Sequence, residues 1–517
     1  MPSNRIITKW PAIWVLIASS ALAWGVQEKT TPPAPILQGR SAPVQTPTVV
    51  RPAPQLPRTV LRPAQQPAVR PAVQPAVRPG TQQGVRPGTQ AGVQPGTQVR
   101  GRPGVQPGVQ PKTQAFAPIG PAVRGPGGRS IQNVQFSNGV RGQLGYHPNG
   151  SLASIHLNGM NIDRGLHGNR KIVVERNGRT FVSTGPQQGY VERPYQNRGG
   201  RLYYQRTYVA GGRTYAQVYR SYNYRGVRYD AYVPGHYYHP AFYAWAANRW
   251  PAPVTYTQGW TGAPGAAANS GYFTPYPTYR APAFWITDYV ITANLQLGYQ
   301  SSIMAGQPAA GGGPGQPPTE GDQGATPQTP INPQVKQAIA YEVQQEIQAE
   351  QAEANPQTAP QIRPGEQQVP DALNPAQRVF VVASDIDTAL PSGQECTLTG
   401  GDVVMRLGDA PDANQNVTAN VVSSKQGNCA TGQTVAVSVQ DLQEMHNQFR
   451  QHIDDGLQTL AEKGGDSGLP QPPDTGTSAG DVPPPSPDPG AETQLMAEQK
   501  LGDQIEGLVQ PGAPTAM

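Results

Sequence analysis

The stretch Leu202–Val233 leaves this chain the fewest choices. It reads LYYQRTYVAGGRTYAQVYRSYNYRGVRYDAYV, three runs of period-two alternation separated by turn residues. Side chains that alternate this way belong on strands, where successive residues point to opposite faces. Gly211-Gly212 suits a two-residue hairpin loop, since both centres take positive φ at no Cβ cost. That loop places Tyr208 opposite Tyr215, Tyr204 opposite Tyr219 and Tyr203 opposite Arg220. Tyr204, Arg206, Tyr208, Tyr215, Gln217 and Tyr219 then share one face. A further turn at Asn223–Gly226 adds Arg228, Asp230 and Tyr232 to it. Val209, Ala216, Val218, Val227, Ala231 and Val233 fall on the other side, where they read as a core.

The rest of the chain is less uniform than its overall charge of +6 suggests. Residues 1–300 carry 31 Lys/Arg and 6 Asp/Glu, whereas 301–517 carry 8 and 27. Halves of opposite sign attract each other, within one chain or between molecules. Gly and Pro, at 59 and 58 of 517 residues, approach the share expected of low-complexity chains. Arg5 and Lys9 precede an uncharged run with Ala21-Leu22-Ala23 as a small-x-small site, which predicts a signal peptide over 1–26; an uncleaved anchor is the alternative. From 27 to 130 the sequence predicts a disordered basic arm. Pro67 to Gln114 repeats in units of four residues, nine of the twelve opening on Pro, a spacing that blocks helix and sheet.

The expected fold is multidomain and mainly β with α. Asn138-Gly139, Asn149-Gly150, Asn158-Gly159 and Asn177-Gly178 punctuate strand-sized pieces, and the last turn sets Val174 against Phe181 on the face of Ile172. An antiparallel meander over 131–304 should continue into the tyrosine strands and close with a helix near Trp285–Gln300. Residues 305–330 and 356–375 read as linkers on either side of an amphipathic helix over 331–355, capped by Asn332-Pro333. A small β barrel or roll is predicted over 376–464. Ser438 with Asp441 caps its helix, and Leu442, Met445, Phe449, Ile453 and Leu460 line one side. Cys396 and Cys429, the only cysteines, predict one disulfide if the chain is exported. Residues 465–517 read as an acidic Pro-rich tail with a weak amphipathic piece from Glu492 to Gln510.

Residues able to do chemistry are scattered. His236 and His239 lack a neighbouring carboxylate or cysteine, so they read as aromatic packing rather than metal ligands. Asp409, Asp412, Asn414 and Asn416 hint at a calcium loop, but Val417 and Ser423 stand where its glycine and terminal glutamate belong, so a polar turn is expected. No nucleophile elbow, zinc-protease helix or phosphate loop occurs. No metal or cofactor is expected. What remains is the tyrosine face: Tyr204, Tyr208, Tyr215 and Tyr219, flanked by Arg206, Gln217 and Asp230, form a platform suited to sugar rings. Against this, the Trp/Tyr/Pro-rich segment 234–285 is expected to fold over that face and leave at most a groove at the seam.

The segments YRSYNYRGVRYDAYVPGHYYHPAFYAWAANRWPAPV (219–254), ITDYVITANLQ (286–296) and SSKQGNCATGQTVAVSVQDLQEMHNQF (423–449) resemble a group of exported bacterial proteins with no established activity. The resemblance implies a shared architecture and no particular site. The expectation drawn from all this is a non-enzymatic exported cell-envelope protein, in the periplasm, at the cell surface or secreted. Its partner would be a cell-wall polymer or another envelope protein. Nucleic acid is not expected in vivo, nor membrane contact beyond an uncleaved N-terminal segment. Two rivals are a polysaccharide-acting enzyme with facing carboxylates and a scaffold whose acidic half binds a basic partner.

Overall fold

The computed structural model describes residues 116–509 other than 126–127, 199, 211, 256–257, 305–327, 356–366, 467 and 481. The segment expected to be a signal peptide, the Pro-rich register and most of both expected linkers lie outside the described residues. The protein is mainly β, with two large antiparallel sheets, two two-stranded ones and five α-helices among the described residues.

The larger sheet has twelve strands in a near-continuous meander. They are β1 (Phe116–Pro118), β2 (Val123–Arg124), β3 (Ser130–Phe136), β4 (Arg141–Tyr146), β5 (Leu152–Leu157), β6 (Met160–Arg164), β7 (Arg170–Arg176), β8 (Arg179–Gly185), β9 (Gln188–Arg198), β10 (Arg201–Ala210), β11 (Arg213–Tyr224) and β12 (Val227–Val233). β1 and β2 share one side of β3, and from there each strand pairs with the next. All four Asn-Gly pairs sit in turns between strands. At Asn158-Gly159 and Asn177-Gly178 both residues have positive φ, the geometry whose twist matches the strands it joins.

The tyrosine register is as expected: Tyr208 opposes Tyr215, Tyr204 opposes Tyr219 and Tyr203 opposes Arg220. One turn differs. Arg225-Gly226, with φ of 49° and 80°, forms the loop between Tyr224 and Val227, one residue later than the Asn223–Gly226 turn expected. Tyr219 still opposes Tyr232 and Ser221 opposes Asp230, so the faces are as assigned. The aliphatic side of these strands is divided among separate clusters. Val209 joins the core of the first strands, Val218 and Val233 pack with Tyr203 and Val482, and Val227 packs against the second sheet.

The second sheet has six strands in the order 379–381, 403–406, 416–423, 434–438, 386–389 and 395–398. Cys396 and Cys429 form a disulfide in its core. Two anchors fasten this sheet to the first. Arg129 and the buried His147 both bond Glu395, at 2.6 Å each, and the Leu166 amide donates to Asp387.

Helix α1 (Pro240–Ala247), helix α2 (Pro282–Met304), helix α3 (Pro333–Ala354) and helix α4 (Val439–Lys463) gather around one aromatic core. Three of these starts are capped by a side chain. His239 caps α1, Asn332 caps α3 ahead of Pro333, and Ser438 caps α4 through the Asp441 amide. The segment expected to cover the tyrosine face does something else: Phe242, Tyr243, Trp250, Trp260, Phe273 and Tyr279 are buried against α2, α3 and the apolar stripe of α4. It is the polar side of α4 that lies over the tyrosines. Asn447 accepts from the Tyr232 amide and donates to the Asp230 carbonyl, imitating one more strand at the open edge of β12.

The acidic C-terminal residues are part of the fold. Residues 477–479 pair with His236–Tyr238, and helix α5 (Ala491–Val509) places Leu495, Ile505 and Val509 in the core of β3–β10. Five arginines of the sheet meet acids from this segment: Arg164 with Glu506, Arg170 with Asp503, Arg176 with Glu498, and Arg179 and Arg193 with Asp488. The opposite-sign halves do attract, within one molecule.

Candidate functional site: a cleft beside the tyrosine strands

Strand pairing brings the expected site residues together, and α4 then divides them. Arg206, only 4% exposed, lies at the buried end. Its guanidinium donates to Glu192 at 2.8 Å, to Glu444 of α4 at 2.9 Å and to Asp230 at 3.2 Å. The Tyr219 ring lies 4.0 Å from it and the Tyr190 ring 4.6 Å. Burial works against its charge, but the surrounding carboxylates, Glu444 above all, hold Arg206 protonated beyond its ordinary range. Arg228 repeats the motif, reaching Glu192 and Asp230 with its guanidinium 3.9 Å from the Tyr204 ring. Tyr219 is fully buried and its hydroxyl meets that of Tyr208 at 2.6 Å. These residues join the sheet to α4. Arg206 and Tyr219 are therefore not available as an open platform, and Tyr204 is half-buried with Arg228 over its ring.

Tyr208, Tyr215, Asp230 and the edge of Arg206 line a cleft of about 470 Å³, whereas Gln217 does not. One wall is the sheet, with Lys171, Gln188, Tyr190, Tyr208 and Tyr215. The others are the loop 383–387, the end of α2 at Leu297 and Ser301, and α4 from Gln440 to His452. Tyr208 and Tyr215 stack at 5.1 Å with their planes 11° apart. Tyr215 is 38% exposed, and its hydroxyl is held by Gln451. Burial pushes the phenols of Tyr190, Tyr208 and Tyr215 above their ordinary range, so all three stay neutral donors. Gln217, half-buried, faces Arg206 across the strand pair. Asp230 is shared between the two arginines, with Asp230 and Arg206 both reaching the cleft wall.

Sequence reasoning missed Tyr190, Gln188, Gln448 and Gln451. Tyr190 and Gln188 oppose Tyr208 and Ala210 on β9, and the alternation that located the other strands continues through QGYVERPYQNR had it been followed upstream. The glutamines of α4 carried no such signal, because a polar helix face ordinarily points to water.

The other candidates resolve simply. His239 is a helix cap and His236 packs edge-on to Tyr238. Asp412 accepts from the Asn414 and Asn416 amides as a polar turn, and Asp409 pairs with Arg406 and Arg378. Among the described residues no three side chains of metal-binding type converge, and no helix is long and apolar enough to cross a membrane. Neither a family model, nor a curated protein, nor a solved structure matches the chain.

Proposed function

We propose that this is an exported cell-envelope protein that holds a strand of wall polysaccharide in the cleft between the tyrosine strands and α4. The stacked Tyr208–Tyr215 pair carries the reading: ring faces suit the C–H face of a pyranose. The adjoining Gln188, Ser301, Gln448 and Gln451 supply neutral donors and acceptors for hydroxyls. The volume suits a few sugar units rather than a large cofactor. The Cys396–Cys429 bond suits an oxidising compartment, and the basic arm would add contact with anionic polymer.

The test is pelleting of the full chain with insoluble cell-wall polysaccharide, with soluble oligosaccharide as competitor. Tyr215→Ala should weaken binding at least about tenfold, equivalent to ~1.4 kcal/mol, while leaving the fold intact because Tyr215 stands at the cleft mouth. Undiminished pelleting by Tyr215→Ala and Gln451→Ala together would sink the proposal.

A second reading has one observation of its own. Asp163 from the sheet and Asp441 from α4 both line the cleft, and burial raises the Asp163 carboxyl against the pull of Lys171, His156 and Arg129. Two carboxyl groups in one cleft, one of them raised, are the equipment of glycoside hydrolysis. Release of reducing ends, abolished in Asp163→Asn, would favour that reading over simple binding.

A further inference from the structure

Away from the cleft, the aromatic core around α2 and α3 holds a lysine and an aspartate whose placement exceeds what an ion pair needs. Lys336 of α3 is 4% exposed and Asp288 of α2 is fully buried. Lys336 Nζ lies 2.7 Å from Asp288 Oδ1 and donates to the Thr274 carbonyl at 2.9 Å, with the Tyr276 ring 3.5 Å away and the Phe273 ring 5.1 Å away. The other carboxyl oxygen, Oδ2, accepts from the Tyr276 amide at 2.6 Å and from the Tyr279 hydroxyl at 3.1 Å. Thus one oxygen faces the amine alone, and the other is held by two donors.

We propose that Lys336 and Asp288 condense into an intramolecular isopeptide bond that staples α2 to α3. Taking an ammonium and a carboxylate out of water costs several kcal/mol per ion, so burial favours the neutral amine and acid. It raises the Asp288 carboxyl and lowers the Lys336 amine, each against the pull of its partner. A proton passes from Nζ to Oδ1. The freed amine lone pair then adds to Cγ, and the carbonyl pair moves onto Oδ2, where the Tyr276 amide and Tyr279 hydroxyl stabilise the developing charge as an oxyanion site does. A second proton moves from Nζ to the Oδ1 hydroxyl, which departs as water while the carbonyl re-forms. One N–C bond is made, one C–O bond is broken and one water leaves, with no oxidant or reductant. The fold contributes proximity: well-oriented intramolecular reactants reach effective molarities of roughly 10⁵–10⁸ M, and the aromatic walls disfavour the return of water.

The bond would be a second covalent closure beside the disulfide, in a different part of the chain. It is independent of what the cleft binds. Mass spectrometry of the purified full-length chain tests it after reduction, denaturation and proteolysis. The expected product is a branched peptide joining the fragments that contain Asp288 and Lys336, lighter than their sum by one water. It should be absent in Lys336→Met. The branched connection separates this product from a succinimide, which loses water within one fragment. Folded wild-type protein yielding only the two separate fragments, before and after prolonged incubation, overturns the proposal whether or not Lys336→Met folds.

Discussion

The two halves of the large sheet share one meander and opposite solutions to burial. In β3–β8 the covered side is aliphatic: Leu144, Ile155, Ile162, Ile172 and Val174 pack together beneath Leu495 and Ile505 of α5. In β9–β12 the side beneath α4 holds Arg206, Glu192, Asp230, Tyr219 and Tyr232, joined to Glu444, Asn447 and Asp454. Aliphatic packing accepts many partners of suitable volume. A buried guanidinium with three carboxylates accepts only a partner that completes its hydrogen bonds. The first half therefore provides stability, and the second fixes which helix docks and at what position, thereby shaping the cleft.

Arg206→Ala should show the difference most strongly. Removing Arg206 leaves Arg228 as the one remaining cation against the buried Glu192 and Asp230, at a cost of about 3 kcal/mol, the low end for a broken buried ion pair, measurable by urea unfolding. Arg206→Lys should recover only part of this, because an ammonium cannot serve three acceptors lying in different directions around a planar fork. A loss below about 1 kcal/mol for Arg206→Ala, the range of exposed pairs, would mean that the two halves do not differ in kind.

Next comes the edge of β12. Asn447→Ala strips the Tyr232 amide and the Asp230 carbonyl of their partner, and orphaned buried groups cost about 1–3 kcal/mol. Amide exchange at Tyr232 should accelerate beyond what global destabilisation explains. In the aliphatic half, Ile162→Val should cost only about 0.5–1.5 kcal/mol, with a salt dependence unchanged from wild type.

The same contrast explains what could be read from the residues. The tyrosine register was legible because Gly211-Gly212 fixed the loop and a period of two fixed the faces. The capped starts of α3 and α4 were legible from Asn332-Pro333 and from Ser438 with Asp441. The covering of the tyrosines was not. In α4 the apolar stripe Leu442, Met445, Phe449 and Ile453 declared one buried side, while Glu444, Asn447, Gln451 and Asp454 looked like a solvent face. Their partners lie more than two hundred residues away, and hydropathy carries no sign of a buried polar contact. The acidic C-terminal segment posed the same problem. Its charges find the arginines of β6–β9, so the split of charge along the chain and the weak amphipathic piece from Glu492 to Gln510 were the clues to its docking.

The smallest expected effect runs opposite to the others. Glu350 of α3 accepts from the Tyr243 hydroxyl at 2.6 Å, and Asp454 of α4 accepts from the Tyr232 hydroxyl at 2.7 Å. Burial first, and then the charge of Asp454, lifts the Glu350 carboxyl well above its ordinary range. A carboxyl raised on folding binds its proton more tightly in the native state than in the unfolded one. Stability therefore increases as pH falls from neutrality through the raised value, and the increase ends near the ordinary carboxylate range, where the unfolded chain also takes up its proton. Glu350→Gln keeps an acceptor for Tyr243 and carries no charge, so it should be more stable than wild type at neutral pH. That advantage should shrink on acidification, as read from thermal unfolding at a series of pH values. Ile162→Val should run parallel to wild type over the same series. If Glu350→Gln is the less stable protein at neutral pH, the charge on Glu350 favours folding, and α3 and α4 are joined by the ion pairs of Arg450 with Glu346 at 2.6 Å and Glu353 at 2.8 Å more than they are strained by burying acids.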